Sequence, residues 1–234
     1  MKIMNADGLM SGLYIYRIDR QFFNELINYM GGCSEYFSTT SDGTDSDEEK
    51  AMFHQHAIDI RALQSDILSR AVTQDHMVIV QLSEGQQSAL FYNLVSMLEP
   101  VPEGNEAGLP EEPALLTEPG GYFRYPILNS QFVQVLLALS GLLRDLNMIL
   151  GTLDPAEPNS KKLYLNIEKR RNALIELQGN LIEESYQFQD SETGRTMAAM
   201  IVRQSQIVDL FRALLSVTTI EYGKTDFAST LPQL

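Results

Sequence analysis

The sequence predicts a mainly α-helical protein of the α+β class, in which a small N-terminal unit precedes a C-terminal antiparallel helical bundle. Two short β-branched or aromatic runs lie in the first hundred residues, helical spacing dominates the remainder, and a proline-rich segment separates the two. We therefore divide the chain into an α+β unit over 1–98, an acidic linker over 99–121 and a helical bundle over 122–234. Of the 234 residues, 44% are hydrophobic, which is enough to bury a core.

The first predicted element is a strand over 12–18, where aromatic and β-branched residues are enriched. Asp19 is a suitable N-cap for a helix whose apolar residues recur three and four positions apart. The glycine pair 31–32 is expected to end that helix. A short helix thus follows the first strand directly.

The N-terminal unit continues with a predicted helix over 48–71 and a β-branched strand over 76–82. Ser83 and Gln86 have the spacing of a capping box, which opens a helix that ends before Pro100. We expect the two strands of this unit to pair.

The C-terminal part is predicted to be helical. Residues 121–128, GYFRYPIL, are expected to form a short strand or an aromatic turn, and 129–150 a buried helix that is apolar on nearly all sides. Two further helices, over 161–189 and 194–218, show heptad spacing and are joined by the tight connection QDSETG. They predict an antiparallel hairpin over 161–218 that packs on the preceding helix as a three-helix bundle. The apolar stripe of the second arm is wide enough to require a third helix or another subunit.

The acidic residues are concentrated in two segments. The chain carries 31 acidic and 17 basic residues, a formal net charge of -14. Residues 34–49 and 99–118 hold six acids each and no base, so the rest is close to neutral. Both segments are interpreted as loops or linkers, which either remain solvated or dock on a basic partner. The overall charge argues against a protein that binds nucleic acid or an anionic membrane directly.

Few residues suggest catalysis or metal binding. The weak metal candidate is His54, His56 and Asp59, in which the last two share a helix face. The single cysteine, Cys33, excludes a disulfide within the chain and is interpreted as a buried apolar residue. The tail Gly223-Lys224-Thr225 lacks the other features of a phosphate-binding loop. We predict no cofactor and no enzymatic activity.

A basic cluster near the start of the long helix is the one strong positive feature. Its members are Lys161, Lys162, Lys169, Arg170 and Arg171. Cations at a helix start oppose the helix dipole, so a compensating acid is expected nearby. The cluster is expected to face the acidic segments, or an acidic patch on another copy, and the alternative is a solvated helix face.

These features favour a cytoplasmic, non-enzymatic protein that binds either other protein chains or further copies of itself, as a subunit or adaptor of an assembly. The apolar helix faces and ten methionines support this reading, and no export signal or membrane span is expected. The alternative is an acidic inhibitor of the kind that viruses encode, which mimics nucleic acid and blocks a basic surface. The third hypothesis is a metal-dependent enzyme with its site at His54, His56 and Asp59. Besides the basic cluster, the predicted partner-binding residues are Asp42, Asp45, Asp47, Glu48 and Glu49.

Overall fold

Each half of the chain builds a three-stranded antiparallel sheet together with long helices. The computed structural model describes residues 3–4, 10–11, 13–98 and 121–222. The chain divides into two units, Met1–Asn93 and Leu94–Leu234. The boundary between them falls within the third helix.

The first elements include a short hairpin, β1 and β2, whose two strands pair with each other. The elements up to the third helix are β1 Ile3–Met4, β2 Met10–Ser11, β3 Leu13–Asp19, α1 Arg20–Gly43, α2 Asp47–Arg70, β4 Val72–Gln74, β5 Met77–Ser83 and α3 Glu84–Ser96. The remaining elements are β6 Tyr122–Leu128, α4 Asn129–Thr152, α5 Pro158–Glu184, β7 Tyr186–Gln189, β8 Thr196–Arg203, a 3-10 turn Gln204–Gln206 and α6 Ile207–Tyr222.

The sheet of the first unit has the strand order β3-β5-β4. Alternate side chains of β3 and β5 are buried, because α1 and α2 pack against one face of these strands. The buried residues are Tyr16, Ile18, Val78, Val80 and Leu82. The opposite face carries Ile15 and Arg17, which are exposed.

The sheet of the second unit has the equivalent order, β6-β8-β7. Alternate residues of β6 are buried, at Phe123, Tyr125 and Ile127. The central strand β8 is buried on both faces from Ala198 to Val202 and contacts both α4 and α5. A strand covered on both sides is apolar at successive positions and does not alternate.

The two units repeat one topology, strand-helix-helix-strand-strand-helix, with the same strand order in each sheet. Both first strands have seven residues and both first helices have 24, so adding 109 to a residue number in 13–43 gives its equivalent in 122–152. Leu13 pairs with Ser83, and Tyr122 pairs with Arg203, so adding 120 relates 77–96 to 197–216.

Several residues are identical at these equivalent positions. The pairs are Tyr16 and Tyr125, Ile18 and Ile127, Phe23 and Phe132, Gly32 and Gly141, Met77 and Met197, Gln86 and Gln206, Leu90 and Leu210, Phe91 and Phe211, Leu94 and Leu214, and Ser96 and Ser216. Most are core residues of both units. We conclude that the chain contains an internal structural repeat, which was not predicted from the sequence.

The predicted class, mainly α with some β, is confirmed, and the two strands of the N-terminal unit pair as expected. The Asp19 side chain accepts a hydrogen bond from the backbone N–H of Phe22, which makes it the predicted N-cap. The capping box is also present: the Ser83 N–H donates to Gln86 Oε1 at 2.8 Å, and the Gln86 N–H donates to Ser83 Oγ at 3.2 Å.

The prediction of an acidic loop over 34–49 is wrong for most of that segment. Helix α1 passes through the glycine pair to Gly43, and α2 begins at Asp47. Continuation is favoured because Ser34 is buried and its hydroxyl donates to the Ala57 carbonyl of α2 at 2.9 Å. The second acidic segment, 99–118, lies outside the described residues.

The predicted helical hairpin over 161–218 is also wrong. Helix α5 ends at Glu184, QDSETG belongs to the hairpin between β7 and β8, and the helical prediction for 196–203 falls on strand β8. The run Met-Ala-Ala-Met-Ile-Val is apolar at every position, so periodicity alone could not separate a buried helix from a strand buried on both faces. The long hairpin of the expected three-helix bundle is therefore replaced by α5, the strands β7 and β8, and α6.

Candidate interaction surfaces

The acidic tip lies where α1 turns into α2, and we define it as Asp42, Asp45, Asp47, Glu48 and Glu49. All five side chains are exposed, and none forms an ion pair with another described residue. Three of them occupy the first turn of α2, where negative charge is favourable to the helix dipole. The Ser46 hydroxyl caps the same helix by accepting from the Glu49 N–H at 3.4 Å. Three of the five carboxylates therefore lie at the N-terminal end of α2, where their charge helps to stabilise that helix.

The five members of the basic cluster of α5 have different surroundings, and Arg171 donates to Asn172 Oδ1 at 2.9 Å. Lys161 and Lys162 are exposed, whereas Lys169 and Arg170 act electrostatically on Asp209 of α6. Burial raises the pKa of Asp209, and the positive charges of Arg212, Arg170 and Lys169 oppose that rise. Helix α6 therefore supplies an acid close to Lys169 and Arg170, as the helix dipole argument predicts.

The outer face of α4 consists of Leu137, Gly141, Arg144, Asp145 and Met148, which lie on one side of the helix at 100° per residue. The side chains of Leu137 and Met148 are 58% and 59% exposed. Arg144 Nε lies 3.5 Å from Asp145 Oδ1 in an exposed ion pair. The prediction of a helix over 129–150 is confirmed, but one side of this apolar helix is exposed and not buried.

Helix α4 is apolar, yet much of its surface is exposed in the part of the chain that the structure describes. Within the described ranges it is the one helix whose length and composition would allow a membrane crossing, a test that core helices of soluble proteins also pass. Its most apolar 18-residue window has a mean hydropathy of 1.5, and 33% of that window is buried. A core helix of this composition would be mostly buried.

Helix α5 extends the outer face of α4 on one side. Gln178 Nε2 donates to Ser140 Oγ at 2.7 Å, which ties the two helices together. Ile175 and Ile182 lie three and four residues from Gln178 and are about half exposed. The two helices therefore present a wider apolar surface than α4 alone.

The repeat supplies an internal comparison for this surface. In α1 the equivalents of Leu137, Gly141, Arg144, Asp145 and Met148 are Asn28, Gly32, Glu35, Tyr36 and Thr39. The equivalents of the two exposed apolar residues are thus an amide and a hydroxyl, and both are exposed. Tyr36 is the one large apolar side chain on this face of α1. The same helix of the same fold is therefore polar toward solvent in the first unit and apolar in the second.

The metal candidate is not assembled. His54 lines a shallow groove between α1 and α2, the His56 ring centre lies 5.6 Å from that of Phe37, and Asp59 accepts a hydrogen bond from Gln55 Nε2 at 2.8 Å. Over the described part of the chain, no group of three His, Cys, Asp or Glu residues could hold a metal ion. Cys33 is buried as predicted, and burial raises the pKa of its thiol.

One side-chain cluster of the second unit was not predicted. On the sheet face that Arg124 shares with Ile201, the Arg124 guanidinium lies 5.1 Å from the Tyr186 ring centre and 5.9 Å from that of Phe188, within the range of cation-π attraction. Arg203, on the same face, contacts Glu184 at 2.5 Å. Aromatic and polar residues alternate in YQFQ, which is typical of a strand, but the helix predicted over 161–189 includes this segment.

No protein-family model, no curated protein and no solved structure matches this chain.

Proposed function

We propose that this chain is a protein-interaction module, which binds a partner protein through the outer face of α4 and the adjoining residues of α5. The supporting observation is the contrast between the repeats: Leu137 and Met148 are exposed in α4, while their equivalents in α1 are Asn28 and Thr39. Exposed apolar patches on soluble proteins mark interaction sites more often than isolated apolar residues do. An intracellular assembly is the setting that this surface fits.

The double substitution Leu137→Glu and Met148→Glu tests this function, and partner capture by the immobilised full-length chain is the measurement. Burying two carboxylates in an apolar contact is expected to weaken binding at least about thirtyfold, the effect of losing a hot spot of about 2 kcal/mol. The thermal midpoint should stay nearly unchanged, because both side chains project into solvent.

The matched control places the same charges on the equivalent positions of the first unit, as Asn28→Glu and Thr39→Glu. This control should bind like the unmodified chain. Equal binding by all three proteins, or equal loss in both variants, would contradict the assignment of the binding surface to α4.

The acidic tip supports a second candidate, an inhibitor that covers a basic nucleic-acid-binding surface. Its five carboxylates are exposed and unpaired among the described residues, and they lie at the end of α1, in the following turn and at the start of α2. Replacing all five with the corresponding amides should abolish binding to an immobilised basic protein, and rising salt should weaken binding by the unmodified chain. Salt-insensitive binding that survives the amide substitutions would remove this candidate.

A further inference from the structure

The partner of the outer face of α4 can be inferred from its own pattern, on the basis of the proposed function. We propose that a second copy of this chain occupies it, with the two α4 helices packed antiparallel about a two-fold axis. A two-fold interface requires a surface that is complementary to itself. The question is therefore whether the residues of this face fit their own reversed order.

The charged residues of this face are complementary to their own reversed order. Arg144 and Asp145 are adjacent, and their ion pair is largely exposed. If the axis passes between them, Arg144 of each copy faces Asp145 of the partner, and the interface contains that pair twice. The same reversal would bring like charges together if both residues had the same sign. Within one copy the pair joins neighbours in the sequence, an arrangement that contributes little to stability when it is exposed.

The sizes of the side chains on this face are complementary about the same axis. Gly141 and Met148 lie three and a half residues to either side of the midpoint between Arg144 and Asp145, about 5 Å along the helix. Reversal therefore places Met148 of one copy over Gly141 of the other, so that a long flexible side chain meets a helix position without one. Nothing lies within 4 Å of a Cβ atom built on Gly141, so this space is open in the described structure.

Apolar contacts extend the face outward from this centre. Leu137 lies on the same side of α4, one turn before Gly141. Ile175 and Ile182 of α5 are half exposed and lie within about one turn of Gln178, whose amide contacts Ser140 of α4. These side chains would be covered by the second copy, which accounts for the low burial of an apolar helix. In the first unit, the glycine is retained as Gly32, but Glu35 and Thr39 replace the arginine and the methionine, so the reversed pattern is lost.

The first experiment measures molar mass by light scattering over a concentration series, with the full chain and paired charge variants. The unmodified chain, of 26.3 kDa, is expected to approach twice that mass at the highest concentrations. Arg144→Glu should weaken self-association at least about tenfold, because two carboxylates then face each other in each half of the interface. The swap of Arg144→Glu with Asp145→Arg should restore it. Arg195→Glu, the same charge change on an exposed turn residue, should have no effect.

A second pair of variants tests the shape of the contact. Gly141→Leu should abolish self-association by filling the space for Met148, and Gly32→Leu, at the equivalent position of α1, should not. Neither change should lower the thermal midpoint, since a side chain at either glycine meets no neighbour near its Cβ.

The outcomes separate this inference from the proposed function. A chain that remains monomeric at every concentration, or a charge swap that fails to restore association, would overturn the two-fold pairing. In that case, capture of a different protein that is lost with Met148→Glu would still support an interaction module. Sedimentation of the chain with phosphatidylcholine vesicles, abolished by Met148→Glu, would overturn both proposals and assign the face to lipid.

Discussion

Replacing Phe132 with alanine is expected to lower the free energy of unfolding by about 3–5 kcal/mol, the usual cost of removing a buried phenylalanine side chain. Phe132 lies near the start of α4 and is 0% exposed. That helix packs on β6 and β8, so the lost ring leaves a cavity between a long helix and the sheet. Because α4 and both strands meet at this layer, the surrounding structure has little freedom to collapse into the space.

Urea unfolding followed by far-ultraviolet circular dichroism measures this change. The equivalent substitution in the first unit, Phe23→Ala, should also be strongly destabilising, because Phe23 is buried at the same helical position. Leu137→Ala on the outer face of α4 serves as the surface control and should change the free energy by about 0.5 kcal/mol or less. If Phe132→Ala and Leu137→Ala had equal effects, the orientation of α4 on its sheet would be wrong.

Short-range signals in the sequence predicted the elements of the first unit well. The cap at Asp19 and the capping box formed by Ser83 and Gln86 depend only on residues close together in the sequence, and both are present. The exception is the length of α1, since a glycine pair was interpreted as a stop. Tertiary contact overrode that signal, because helix continuation brings Ser34 into the interface with α2.

The second unit was harder to predict because its central strand is enclosed. Strand β8 is apolar from Met197 to Val202, and its partner β7 is only four residues long. The intervening turn was interpreted as a helical connection, although Gly194 adopts the positive φ of 65° that favours glycine in turns. Recognition of the repeat would have corrected this error. The repeated Leu-Phe-x-x-Leu-x-Ser motif, beginning at Leu90 and Leu210, directly aligns the strands before each helix.

The charged candidate surfaces could be predicted from the sequence, but the apolar one could not. Charge clusters are visible in a sequence, so the acidic tip and the cations of α5 could be named in advance. The outer face of α4 could not be distinguished from a core face, since apolar composition does not reveal which side of a helix is covered. The contact between Arg124, Tyr186 and Phe188 joins residues about sixty positions apart and required the correct strand order.

The repeat also predicts opposite effects for one substitution at two equivalent glutamines. The side chain of Gln86 makes two hydrogen bonds: its Oε1 accepts from the Ser83 N–H, and its Nε2 donates to the Asp66 carboxylate. Gln206 is 6% exposed, and neither Oε1 nor Nε2 has a hydrogen-bond partner among the described residues. The difference follows from the sequence, because Arg203 replaces the serine that completes the capping box in the first unit.

Gln86→Met is therefore expected to lower the free energy of unfolding by about 1–2 kcal/mol, as capping interactions are lost. Gln206→Met should raise it by about 1–2 kcal/mol, because an apolar chain of similar length removes two unsatisfied buried polar atoms. Urea unfolding of the two variants beside the unmodified chain measures both signs. Destabilisation by both would mean that the Gln206 amide is hydrogen-bonded in the folded protein. Opposite signs would show that the glutamine stabilises the fold only where the serine of the capping box is present.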